Sequence, residues 1–288
     1  MKEKNRKKIR YIAAAVIIIG LITVFLVMVS LLPSPSLPKK GSIIKAYKFL
    51  ESLYKSEVGL CIEYSGSNTL WLTHDNYLAS MVLASWNRTI ADNMTATIKR
   101  LTAEYNLPHD ANGLPIDTRM EILNGYQVES LNYTVLHTVN ASYFGYVLGN
   151  ENVTDMPIPS DTWRNYTDLT LYQTIIAWRK GDNQTAFNLF NNVTAMWDGI
   201  GFKDQAAKSL GYYSTFKLGF FLYVHRLLGS PKVEIYQDVI NAIWRSQDVS
   251  GGFFTDYYRP GFYPNGVKAN CETTAFILLA LPPEEWRA

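Results

Sequence analysis

Apolar positions in this chain recur at helical spacing in a series of separated stretches. Ile43, Ile44, Ala46, Tyr47, Leu50 and Leu53 follow the i, i+3, i+4 rule from Ser42 onward, which predicts an amphipathic helix with Ser42 as its N-cap. The same reading predicts helices over 75–88, 91–105, 161–180, 183–197, 207–229, 232–247 and 271–281, with Asp182 capping the one that begins at 183. Between them a motif returns. A helix ends on an aromatic or apolar residue, a Gly-aromatic turn carries a carboxylate (Glu63, Asp204, Asp256), and an apolar helix runs back. One such hairpin cannot bury its apolar face alone, so the pattern predicts hairpins stacked side by side, with the three carboxylates at one end. Residues 106–150 break the rhythm. Val128, Tyr133, Val135 and Val139 alternate as in a strand pair, while GLPIDTRMEIL also reads as a decayed turn with Asp117 at its tip. The fold class expected is all-α, with a small β or irregular excursion near 106–150.

Charge and hydropathy divide the chain further. The first ten residues hold six Lys or Arg against one Glu, and residues 11–32 hold no charge. Such a helix is about 33 Å long, enough to cross a bilayer core. The expected plan is a basic cytoplasmic tail (1–10), a transmembrane signal anchor (11–32) retained or cleaved late, a Pro/Ser linker (33–41) and an extracytoplasmic domain (42–288). On this plan the protein sits in the cell membrane, single-pass, with its C-terminal domain outside. Eight sequons agree with that placement: Asn87, Asn93, Asn132, Asn140, Asn152, Asn165, Asn183 and Asn192. Without the tail, 21 basic and 24 acidic side chains remain, which excludes a basic nucleic-acid surface.

Trp244, Gln247, Gly251, Gly252 and Phe253 form a W-x-x-Q-x-x-x-G-G-F arrangement. This resembles the repeat of the α/α-toroid proteins, a group that includes terpenoid cyclases, protein prenyltransferases and six-hairpin glycosidases. The resemblance implies a ring of helical hairpins. The chain departs from the cyclase and prenyltransferase patterns, having no D-x-D-D run and no matching Cys, His and Asp zinc spacing. Some 247 residues are also few for six full hairpins, which points to an incomplete or compact ring.

No phosphate loop, H-E-x-x-H or nucleophile elbow is present, and no metal or cofactor is expected. Carboxylates and aromatics remain. In a ring the turns gather at one mouth, which predicts a carbohydrate-binding or carbohydrate-processing cleft, like that of a glycoside hydrolase or polysaccharide lyase, with Asp75 and Glu272 as acid and base if the protein is an enzyme. Glu63, Trp71, His74, Trp197, Asp204, Asp256 and Tyr257 are expected to bind substrate there. The plainer reading is that Asp75 and Glu272 serve as helix-start carboxylates of a non-catalytic binding or structural module. Cys61 and Cys271 lie in the first and last units, and a disulfide between them would close the ring; two buried thiols are the alternative.

Overall fold

A computed structural model describes residues 40–128, 133–155 and 161–281. The fold is helical, with extensive contacts between helices distant in sequence. Its first unit runs from α1 (Lys40–Leu53) through the short strands β1 (Tyr54–Lys55), β2 (Leu60–Cys61) and β3 (Thr69–Trp71) into a π-helix (Leu72–Tyr77), which continues as α2 (Leu78–Leu83). The second starts at α3 (Arg88–Glu104), passes α4 (Thr118–Asn124) and a long hairpin of β4 (Tyr133–Tyr143) and β5 (Tyr146–Asp155), and returns along α5 (Thr167–Arg179). The third is α6 (Asn183–Ala195), α7 (Gln205–Leu210), β6 (Tyr213–Ser214) and α8 (Phe216–Leu227). The fourth comprises α9 (Tyr236–Arg245), strands β7 (Phe253–Phe254), β8 (Asp256–Tyr257) and β9 (Ala269–Asn270), and α10 (Cys271–Ala280).

Outgoing and return helices differ in how they bury their residues. α3 buries Ala91, Met94, Ile98 and Leu101, and α6 buries Ala186, Leu189, Phe190 and Val193, each a single stripe. By contrast α5, α8 and α10 bury residues around most of their circumference, as interior helices do. The outgoing helix of each unit packs on the return helix of another: α3 on α2, α6 on α5, α9 on α8 and α1 on α10.

Hydrogen bonds at the turns repeat this offset. Thr167 N–H donates to the Asp204 carboxylate (3.0 Å). Thr215 N–H donates to Thr255 O (2.8 Å) and Cys271 N–H to Glu63 O (2.8 Å). The last unit thus meets the first, as a bridge between Tyr64 and Asn270 also shows. The paired glycines of the W-x-x-Q motif serve the same contact. A Cβ on Gly251 would lie 2.4 Å from Lys45 O, and one on Gly252 would lie 2.5 Å from the Phe49 ring, so this turn fits against α1 only without side chains. Gly219 plays a similar part where α8 crosses α10, since its Cβ would fall 2.8 Å from Ile277 Cα. Gly219→Ala is expected to cost about 1–3 kcal/mol through overpacking, read as a lowered denaturation midpoint with an unchanged slope.

Several expectations hold. Asp182 caps α6 by accepting from Thr185 N–H (3.1 Å). The alternation near Val135 becomes the β4–β5 hairpin, whose β5 pairs in parallel with β3. Asp117 is a buried cap for α4, so the decayed-turn reading is the structural one. The expected helix over 207–229 is broken by Gly211, which takes φ 79° after α7.

Other expectations are corrected. Residues 11–32 lie outside the described residues, and among the described residues no helix is long and apolar enough to cross a membrane. The single-pass, membrane-attached placement that rested on such a helix is corrected to that finding. Asn87, one of the sequon asparagines, is already occupied, capping α3 through Ile90 N–H and donating to Glu51 (2.7 Å). The Cys61–Cys271 disulfide is not formed. Both are free, buried thiols; Cys61 Sγ points to Leu50 O (3.7 Å) and Cys271 Sγ to Asp75 O (3.8 Å). A hydrogen bond with Cys61, then burial, pushes the Cys271 thiol well above its usual range, which keeps it protonated and unreactive.

Candidate functional site

The π-helix is the local feature from which the site is built. Its wide turn is uncommon, and such turns concentrate at functional positions. Asn76 holds it in place: Asn76 Oδ1 accepts from Cys61 N–H (2.6 Å), while its Nδ2 donates to Cys61 O (3.0 Å) and Trp71 O (2.8 Å). Thr73 Oγ1 donates to Asn150 Oδ1 of β5, so the hairpin braces the opposite side. Between these anchors, His74 and Asp75 are turned toward the start of α10.

There they meet Glu272. One ligand-type atom from each of His74, Asp75 and Glu272 lies within 4.8 Å of the others. Asp75 is 1% exposed, and among the described residues its Oδ2 has no hydrogen-bond partner. His74 Nε2 stands 3.7 Å from Asp75 Oδ1, while His74 Nδ1 is also buried without a hydrogen-bond partner. Burial pushes the Asp75 carboxyl well above the usual range, and the charges of Glu272 and Glu63 add to the rise. Burial, then the neighbouring Arg119 guanidinium, holds the His74 imidazole down at about 4, so it is neutral at neutral pH. Arg119 does not offset the acidic cluster, because Asp117 binds it at 2.8 and 3.1 Å.

Glu63 connects this cluster to solvent. Burial raises its carboxyl against the lowering effect of a hydrogen bond from Trp71. It also lines an open pocket of about 510 Å³ with Tyr64, Asp256, Lys268 and Asn270. Asp75 and Glu272 lie together, and of the three turn carboxylates expected at one end, Glu63 and Asp256 line one pocket.

The aromatic sugar-binding mouth is not formed, and the carbohydrate cleft is corrected accordingly. Tyr257 is fully buried, and its hydroxyl donates to Ile200 O. Trp197 packs edge-on against Phe202 (5.3 Å) with its indole nitrogen buried. Trp71 is held between the His74 ring (5.2 Å) and the backbone at Gly149, where a Cβ would come 2.6 Å from the indole. Tyr257 leaves no ring face open to a sugar. Asp204 is used internally, accepting from Ala207 N–H (2.9 Å), Thr167 N–H (3.0 Å) and Lys217 Nζ (2.5 Å).

The sequence placed His74 in one cleft with Asp75 and Glu272, and the three do lie together; the π-helix that turns His74 toward them has no sequence signature. Comparison of the chain with protein-family models, curated proteins and solved structures finds no match.

Proposed function

We propose that this chain folds as a compact four-hairpin α/α-toroid and that His74, Asp75 and Glu272 form its divalent-metal centre. The toroid reading is supported by the offset packing of α1, α3, α6 and α9 on the return helices and by the junction of the first and last units. One observation carries the metal reading: a fully buried carboxylate oxygen and a buried imidazole nitrogen, both unpartnered, within reach of a second carboxylate. A carboxyl buried this deeply keeps its proton unless a positive charge or hydrogen bonds compensate the ionised form. A metal ion supplies that charge. One imidazole and two carboxylates suit Zn²⁺ or Mn²⁺, and three protein ligands leave a coordination position open, as in catalytic sites.

The two carboxyls expected from the sequence to act as acid and base are thus assigned as ligands. The reaction class the arrangement supports is metal-assisted hydrolysis, with Glu63, between the cluster and the open pocket, as the group placed to take a proton from water. The test is titration of metal-free protein with Zn²⁺ and Mn²⁺. One equivalent should bind, and at a hundredfold excess over Kd it should stabilise the fold by about 2.7 kcal/mol, a rise in Tm of roughly 5–10 °C. Glu63→Gln should keep the metal and lose turnover of p-nitrophenyl ester and phosphoester probes. Protein whose Tm neither metal moves would refute the metal centre.

A further inference from the structure

A second pocket, of about 530 Å³, opens where α5 and α8 begin, and its chemistry differs from that of the acidic cluster. Trp163, Tyr166, Phe216 and Leu169 form its apolar wall, with Asp168 and Lys217 among the lining residues. All three aromatic rings are partly buried against the core, which fixes their orientation.

Charge decides what such a pocket accepts. Lys217 is the cation here, with 7% of its side chain exposed, and it is claimed twice, by Asp204 at 2.5 Å and Asp168 at 3.3 Å. Asp204 is saturated by Lys217 and two backbone amides. Asp168 is held less fully: its Oδ1 lies 3.3 Å from Lys217 Nζ, and 22% of its side chain is exposed. Of the two carboxylates on Lys217, Asp168 is the one that lines the pocket. An anionic ligand would meet an ammonium already neutralised; a cationic one would meet a carboxylate with spare capacity and three ring faces or edges. Rings already take cations at this place, for Arg164 lies 4.6 Å from the Trp163 centroid and Lys217 5.9 Å from that of Phe216. The volume suits a small organic molecule.

We infer that this pocket binds an organic ammonium ion, its charged head against Asp168 and its methyl or methylene groups against Trp163, Tyr166 and Phe216. The site is separate from the proposed metal centre and does not depend on it.

Choline and its neutral isostere 3,3-dimethyl-1-butanol discriminate charge from shape, measured by ligand-observed NMR and calorimetry on the full chain. Saturable one-to-one binding of choline, at least tenfold tighter than that of the alcohol, is expected. Asp168→Asn and Trp163→Leu should each weaken choline at least tenfold, while Asp168→Asn leaves the Asp204–Lys217 pair intact and the melting transition cooperative. Equal binding of choline and the alcohol to the unaltered protein would overturn the inference whatever the variants do. So would the absence of saturable choline binding, or a folded Asp168→Asn variant that binds choline as the parent does.

Discussion

Replacing Lys217 by methionine is expected to destabilise the protein by about 3–5 kcal/mol, the range for removing one partner of a buried ion pair. The loss comes chiefly from what remains. Asp204 would keep the amides of Ala207 and Thr167 but lose the ammonium bonded to it, with its own side chain fully buried. Asp204→Asn in the same chain should recover part of the loss, because the amide side chain still caps α7 and carries no charge. Urea denaturation of the two variants and the parent checks both expectations.

The same pair sets a pH window. Burial alone would push the Asp204 carboxyl up, but Lys217 and the two amides together hold it below the usual range. A carboxyl depressed on folding contributes stability in full above its unfolded pKa of about 3.9, and the contribution fades as pH falls through the folded value. Burial would lower Lys217, yet Asp168 and Asp204 raise it. Its contribution is complete below an unfolded pKa of about 10.4 and fades as pH rises through the folded value. The difference in stability between parent and Lys217→Met should therefore be level from about pH 5 to 9 and shrink in strong acid and strong base.

The second large effect is on metal affinity. His74→Ala and Glu272→Gln should each raise the Kd for Zn²⁺ or Mn²⁺ by at least a hundredfold, about 2.8 kcal/mol at 1.4 kcal/mol per factor of ten. Both residues are only part-buried, so both variants should fold. Asp75→Asn should behave alike in affinity but tell less, because Asp75 lies wholly inside and its replacement also alters packing. Asn76→Ala makes a useful contrast. It removes no ligand, but it frees three backbone groups that hold the π-helix, so weaker metal binding there would mean that the wide turn positions the ligands.

How much of this was legible in the sequence differs residue by residue. Asp75 and Glu272 were placed together because each opens a return helix after a like turn, and turns that repeat in sequence repeat in space. Asp117 was readable as a decayed tip for the same reason. Tyr257 was misread, since an aromatic residue beside a turn faces the core or the mouth according to a register shift of one residue, which periodicity does not record. Tyr257 turns inward to reach Ile200 O. The π-helix left no signature either. One extra residue in a turn is held by Asn76 bonding to residues fifteen and five positions away, a tertiary matter. The disulfide failed differently: the cysteines do lie near each other, but each thiol is satisfied in a sealed interior.

One metal ion is expected among His74, Asp75 and Glu272. Anomalous diffraction from crystals grown with Zn²⁺, recorded on both sides of the zinc edge, tests it most directly. The account predicts one strong peak about 2.0–2.2 Å from an imidazole nitrogen of His74 and from a carboxylate oxygen of each of Asp75 and Glu272. A map without a peak between these three side chains, or with zinc bound only at surface residues, would contradict it.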